Sequence, residues 1–319
     1  MGTTIKILQK LAAKLESNYG AYTAPDVLIP FKAKEHKQAF GMIEDESIVG
    51  VAQKDLPIQG VRKFSGNLDA QLDKLTMDVI FEAAFGANSS GTFTIPITSN
   101  TKSLSLCALD QVKTNKYAGV VVNNFQIKSA AEGDLSYTCD LLSNVAEVRD
   151  DTAFPTINVN PGARFAHHMA GGTNGYIRIG DQADALASGD NCSIIKDITF
   201  GLNWNFAEDF VNAVGSLQPL SGQSVVSLDF TLAQHDSDQW KVWRDAGTAL
   251  QLEYYCYQAA AGTLKIQIPN FIIEECPEGN AVKPTIAVKC KVGRNGMGTS
   301  YSNANMAFVS AMKAIRVAA

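Results

Sequence analysis

Asn124-Phe125-Gln126-Ile127 reappears as Asn270-Phe271-Ile272-Ile273, and at equal spacing the two are followed by Glu132-Gly133-Asp134 and Glu278-Gly279-Asn280. The same offset of 146 residues pairs Leu104 with Leu250, Leu106 with Leu252, Val120 with Ile266 and Val122 with Ile268. Upstream, Leu68-Asp69 matches Leu228-Asp229 and Leu72 matches Leu232 at an offset of 160, and Gly86 matches Gly247 at 161. Downstream, Cys139 matches Cys290 at 151. The fall from 161 to 146 requires fifteen more residues in the first copy, and residues 87–102 supply them. Alternation restricts any two hairpins to the same few apolar residues, so the Val, Ile and Leu matches weigh little. The Asn-Phe and Glu-Gly pairs, held in register, weigh more. The order strand, short helix, Gly, strand pair, Asn-Phe turn, strand thus occurs twice. Two copies predict a paired domain arising by tandem duplication rather than a solenoid.

The local patterns are those of a mainly β chain. Phe64, Leu68, Ala70 and Leu72 alternate with Ser65, Asn67, Asp69 and Gln71, which reads as a half-buried strand over 64–72. A short helical pattern over 75–85 stops at Gly86. Further strand patterns cover 92–97, 103–109, 118–128 and 135–142, then 198–205, 225–233, 249–257, 263–273 and 285–292. A second short helix is predicted over 238–246, capped by the His235-Asp236-Ser237 environment and ended by Gly247. Ile5, Leu8, Leu11, Ala12 and Leu15 fall at helical spacing and predict an amphipathic helix over 1–17. Between 145 and 191 the alternation fades under Pro155, Pro161 and many glycines, which reads as a connecting segment with little structure of its own. The resulting division is an N-terminal helix or arm (1–20), a first domain (21–144), the connecting segment (145–191), a second domain (192–300) and a C-terminal tail (301–319).

Composition excludes several functions. With 46% hydrophobic and 18% charged residues in 319, the chain has material for a core and too little charge for disorder. A net charge of −5 argues against a basic nucleic-acid reader. Few charges also suit a subunit that buries much of its surface in an assembly. No apolar run has the length of a membrane helix, and Lys6, Gln9, Lys10 and Lys14 break the N-terminus as a secretory signal. None of the six cysteines forms a C-x-x-C pair, and Cys107, Cys139, Cys256 and Cys290 fall in strand patterns as small core residues without disulfides. His167-His168 sits in a Gly/Asn-rich stretch and reads as a solvated loop. There is no G-x-S-x-G, and the run 293–300 lacks the Lys of a phosphate loop. No catalytic, cofactor-binding or metal-binding set emerges. Trp204, Trp240 and Trp243 suggest a sugar platform, but Trp240 and Trp243 lie three apart on the short helix, a spacing that packs into cores.

Phe64-Ser65-Gly66-Asn67-Leu68-Asp69, the helix to Phe85-Gly86, and Tyr117 to Phe125 resemble the tail tube proteins of long-tailed, siphovirus-type bacteriophages. In the second half, Ser221-Gly222 through Leu228-Asp229-Phe230, Gly247 to Leu250 and Ile268-Pro269-Asn270-Phe271 carry the same likeness, which covers about 60–300. The resemblance implies two tandem tail-tube-type β-sandwich domains, each flanked by a short α-helix and contributing strands to an inner β-barrel on ring assembly. It implies a structural virion protein, assembled in the bacterial cytoplasm, that stacks rings into a tail tube for DNA ejection. Three chains of two domains would make each pseudo-hexameric ring. Implied partners are further copies of itself, a tape measure protein, a tail terminator or distal tail protein, and double-stranded DNA in passage, with no membrane. On that reading Asn67, Asp69 and Gln71, with Ser227, Asp229 and Thr231, are candidates to line the lumen. The alternative for this face is outside solvent. The repeat-defining turns are Asn124, Phe125, Glu132 and Gly133, and Asn270, Phe271, Glu278 and Gly279. Residues 18–59, 87–102 and 145–191 are candidate contact arms between rings. A β-sandwich carbohydrate-binding or adhesin-like module is the competing function.

Overall fold

The computed structural model describes residues 9–43, 58–96, 100–110, 113–130, 133–145, 148–150, 153–157, 162–165, 175–206, 222–233, 239–258, 262–277, 285–293 and 312–317. In the first half the elements are β1 (Gln9–Leu15), β2 (Val27–Leu28), β3 (Phe31–Ile43), β4 (Ile58–Gln71), α1 (Lys74–Phe85), β5 (Ala87–Ser89), β6 (Thr92–Thr94), β7 (Leu104–Asp110), β8 (Lys113–Ala130), β9 (Ser136–Ser143) and β10 (Val148–Asp150). The second half has β11 (Gly175–Asp181), β12 (Ile195–Asn203), β13 (Val225–Leu232), α2 (Gln239–Ala246), β14 (Leu250–Gln258), β15 (Gly262–Glu275), β16 (Ile286–Val292) and β17 (Lys313–Val317).

Antiparallel ladders join eight strands into a main sheet in the order β3-β4-β9-β8-β12-β13-β16-β15. β8 and β15 also belong to second sheets. The N-terminal arm of β8 pairs with β7 and β10, and β7 pairs with β1. The N-terminal arm of β15 pairs with β14 and β17, and β14 pairs with β11. The pairing order of one half therefore recurs in the other, with α1 after β4 and α2 after β13.

Side chains show how the layers meet. Phe64 of β4 reaches Tyr117 on the N-terminal arm of β8, ring centroids 4.4 Å apart. Phe200 of β12 meets Tyr254 of β14 at 5.7 Å. α1 closes one side of the core, where Phe81 packs edge-on against Phe125 at 5.6 Å and Phe93 at 5.5 Å. Buried Asp73 caps this helix by accepting from the amides of Leu75 (2.9 Å), Thr76 (3.1 Å) and Gly162 (3.1 Å). Gly86 ends it in the left-handed region at φ 87°. One cluster of buried apolar residues runs through both halves. Trp204, at the end of β12, donates its indole N–H to the Ala84 carbonyl of α1 at 2.6 Å.

β8 turns from one sheet to the other near Gly119, whose φ is +61°. A Cβ there would sit 2.8 Å from Val145 and 2.9 Å from Tyr19. The Gly119 amide donates to Glu16, a buried carboxylate that also accepts from Gly20 N (2.9 Å), Ser103 Oγ (2.7 Å) and Ser105 Oγ (2.7 Å).

Several expectations need correction. Residues 9–15 form a strand, not a helix: Leu11, Ala13 and Leu15 also alternate, and the full-length ladder with β7 overrides helical spacing. Asn124-Phe125 and Asn270-Phe271 lie inside β8 and β15 rather than in turns. Gly133 does turn, its amide bonded to the Ala130 carbonyl at 3.0 Å, while Glu132, Glu278 and Gly279 lie outside the described residues. The 145–191 segment holds β10 and all of β11, and residues 162–165 strap Leu72, Lys74 and Leu135 through backbone bonds. Residues 87–94 form a hairpin whose β6 pairs with β17 of the C-terminal segment and buries Phe93 completely. The expected cap 235–237 is outside the described residues, as are His167 and His168.

Candidate functional site: the open polar face of the main sheet

Alternation gives the main sheet two chemically different faces. One carries Leu68, Cys139, Phe125, Phe200, Leu228 and Cys290, all buried. On the other, β4 presents Asn67, Asp69 and Gln71, directly opposite Asp140, Thr138 and Ser136 of β9. The row continues through Asn124, Gln126 and Lys128 of β8 to Asn203, Gly201 and Thr199 of β12. It then crosses Ser227, Asp229 and Thr231 of β13 to Lys291, Lys289 and Ala287 of β16. All six residues picked out by strand alternation thus stand on one continuous face, although three come from each half.

Local bonds tie the strands of this face together. Asp140 accepts from Asn67 Nδ2 at 3.0 Å and Asn124 Nδ2 at 3.1 Å, bridging the strands on either side of it. Gln71 donates to Asp134 at 3.0 Å. At the far edge Lys289 pairs with Glu275 at 2.8 Å and Lys291 with Glu274 at 2.6 Å. Those two lysines are held above their ordinary range by hydrogen bonds to these glutamates. Their charge is thus matched locally. At the other positions of this face stand Glu35, Asp69, Asp140, Asp197 and Asp229 with Lys37, Lys63 and Lys128, so acidic residues outnumber basic ones and the described face is net negative. Partial burial pushes the Asp229 carboxyl up, and the Lys289 charge pulls it back only in part.

The strand-by-strand reading missed Asp140, Lys128, Asp197 and Lys289. Each sits at an outward position of its own alternating strand, but which outward face is shared depends on the ladder register. Phe125 and Phe271, selected as turn residues, are buried on the apolar side. Their structural alignment also differs from the sequence match. Phe125 stands opposite Cys139, whereas Ile273 stands opposite Cys290. The ladder of β7 with β8 is irregular between Leu104–Val120 and Leu106–Tyr117, as that of β14 with β15 is between Leu250–Phe271 and Leu252–Ile268. These irregularities relate β8 to β15 at an offset of 151, five residues from the motif offset. By contrast Leu68–Cys139 and Leu228–Cys290 match at the expected offsets.

Other polar groups serve the fold. The Glu253 carboxyl is pushed up by burial, but hydrogen bonds from Tyr176 and Gln267 and the Lys265 charge outweigh this and leave it below its ordinary range. All six cysteines are free, and burial pushes the Cys192 thiol up to about 11. Among the described residues no cluster of three or more His, Cys, Asp or Glu is placed to hold a metal ion. No helix among them is long and apolar enough to cross a membrane. Trp204 and Trp240 are buried, and Trp243 packs edge-on against Trp240 at 5.4 Å. None of the three stands on the open face.

No curated protein matches the chain. A model of the phage tail tube protein family matches residues 7–293 of the 319. With that match over an almost entirely antiparallel β architecture, the chain belongs to the phage tail tube protein family.

Proposed function

We propose that three copies of this chain close a ring around a DNA channel, and that stacked rings form the tail tube. The observation that carries this reading is the main sheet: eight adjacent strands with one side packed on a core, the other polar and net negative. Its outermost strands, β3 and the C-terminal arm of β15, have a main-sheet neighbour on one side only among the described residues. Open edges of that length template further pairing, and closure into a barrel removes them.

Strand arithmetic favours three chains. Twenty-four strands spaced about 4.8 Å and tilted about 40° close at a backbone diameter of roughly 48 Å. Sixteen strands from two chains close at roughly 32 Å, and inward side chains narrow either by roughly 10 Å. The larger barrel leaves a hydrated gap around a duplex. The recurrence of the pairing order supports tandem duplication, each half supplying four strands, so that a ring of three is pseudo-sixfold. Asn67, Asp69, Gln71, Ser227, Asp229 and Thr231 then face the lumen. Phosphates are repelled there, where a basic wall would retain them. In this role the chain meets further copies of itself above and below, and a tape measure protein inside the growing tube. A tail terminator or distal tail protein meets the tube's ends. The siphovirus-type tail and assembly in the host cytoplasm belong to the same reading.

Electron microscopy of the purified chain separates this from a compact binding module: rings or tubes with a central hole are expected, and monomers at assembly concentrations contradict it. The lumen assignment has its own test, Asp69→Lys combined with Asp229→Lys. Tubes should form while DNA ejection slows, most at low salt, where screening is weak. Unchanged ejection from fully assembled particles excludes these residues from the channel wall.

A further inference from the structure

We infer that the second half of the chain carries a binding site for an organic ammonium ion, in a cavity beside α2. The site is a property of the single chain and does not depend on the ring reading above. The cavity has a volume of about 520 Å3, within the usual range of small-molecule sites. Ile179 near the end of β11, with Trp240 and Trp243 of α2, forms its apolar wall. Asp181, Asp184 and Asp190 also line it, and among the described residues around it there is no Lys or Arg. Trp240 stacks on Phe230 from the apolar side of β13, ring centroids 5.3 Å apart, so the cavity lies behind the main sheet, away from its polar face.

Comparing the two halves shows where the room comes from. β11 pairs with β14 as β1 pairs with β7. The Cys192 amide donates to the Ile177 carbonyl at 2.7 Å, as the Ile29 amide does to the Leu11 carbonyl at 2.9 Å. In the first half the twelve-residue α1 packs directly on β1 and β2, with Ile29 and Met77 buried. In the second half α2 has eight residues, about one turn fewer, and the smaller Cys192 stands where the first half has Ile29. A shorter helix and a smaller side chain leave open a space that the first half fills.

The walls select the ligand. An indole face attracts an organic cation, more strongly where water is excluded. Trp243, the more exposed of the pair, stands at 90° to Trp240 with centroids 5.4 Å apart. Loop amides hold two of the carboxylates in place: Ala183 donates to Asp181 at 2.9 Å and Ala187 to Asp190 at 2.6 Å. The three carboxylates are too dispersed for a bare metal ion, since no described group of three is placed to hold one. Charges spread around an aromatic wall suit a cation whose own charges sit on an apolar chain. A neutral sugar gains nothing from those charges. A free polyamine and a lysine side chain of a second copy share the required chemistry.

The test is a titration of the unassembled full chain with spermidine, followed by tryptophan fluorescence and calorimetry, with magnesium ion as the purely electrostatic comparison. Saturation at one spermidine per chain is expected. Trp243→Leu should weaken it by about threefold, the loss of one cation–π contact. Asp184→Asn with Asp190→Asn should weaken it by about tenfold through the lost charges. Asp26→Asn with Asp78→Asn removes equal charge from the first half and should leave the affinity unchanged. Saturation-transfer NMR on the wild-type chain keeps the test open if a variant fails to fold: irradiated indole protons should pass their saturation to the spermidine methylenes. Repeating the titration on assembled tubes separates the two sources. Unchanged affinity there assigns the site to a free polyamine, and a site closed to spermidine assigns it to a side chain of a second copy. Spermidine that binds no more tightly than magnesium ion, or loses as much affinity in the first-half variant as in the second-half one, overturns the site, and so does an absence of transfer from the indoles. Tighter binding of a neutral sugar overturns the ligand class.

Discussion

Glu16 shows how much one side chain decides. It sits where the chain leaves β1 and where β8 changes sheet, and its carboxylate gathers two hydroxyls and two backbone amides. Glu16→Ala leaves those donors buried without an acceptor, and should cost about 2–4 kcal/mol in urea unfolding of the monomer. A loss below about 0.5 kcal/mol means that water replaces the carboxylate. Two other carboxylates carry opposite pH signs. Glu253 is held below its ordinary range, so its stabilisation is present above the unfolded value and fades as pH falls through the folded one. Asp229 is held above its ordinary range, so its contribution grows on acidification and is absent at neutral pH. Asp229→Asn should therefore raise the melting temperature of the unassembled chain at pH 7 and lose that advantage near pH 4. Glu253→Gln should lower it at pH 7. Equal melting curves for Asp229→Asn and wild type at both pH values would show that Asp229 is fully hydrated.

At the scale of elements, the strands of the main sheet were legible because each exposes one face, so apolar and polar residues alternate as in Leu68-Asp69-Ala70-Gln71. Both helices were legible from their spacing and from the glycines that end them, Gly86 and Gly247. What failed has physical causes. Leu8, Leu11, Ala12 and Leu15 fit a helix, but β7 offers β1 a complete ladder, and tertiary pairing outweighs local propensity. Tyr176-Ile177-Arg178-Ile179 alternates plainly, yet the surrounding glycines hid it as a loop. The hairpin at 87–94 was read as an arm between rings because nothing local shows that Phe93 enters the aromatic cluster of α1. Deleting 91–101 should accordingly unfold the monomer rather than merely weaken stacking. Phe93→Ala alone should cost about 3–5 kcal/mol. A deletion variant that melts like wild type would return the hairpin to the role of a contact arm.

For the whole molecule, the decisive property is that the two halves share one sheet. β8 and β12 are joined over seven residue pairs, from Asp197–Ala130 to Asn203–Asn124, which makes the halves one continuous wall of strands rather than two separate sheets. Six of the wall's lumen-facing candidates were named from two strands alone, because the repeat matched Asp69 to Asp229. The wall itself was not legible, since no pattern within a strand reports which strand lies beside it. Cryo-electron microscopy of assembled tubes, with the symmetry of one ring determined without imposing it, tests the central claim most directly. Three chains per ring are predicted, each giving eight strands to the inner barrel, with Asp69 and Asp229 alternating around the channel. Six chains per ring, each giving four strands, would contradict it.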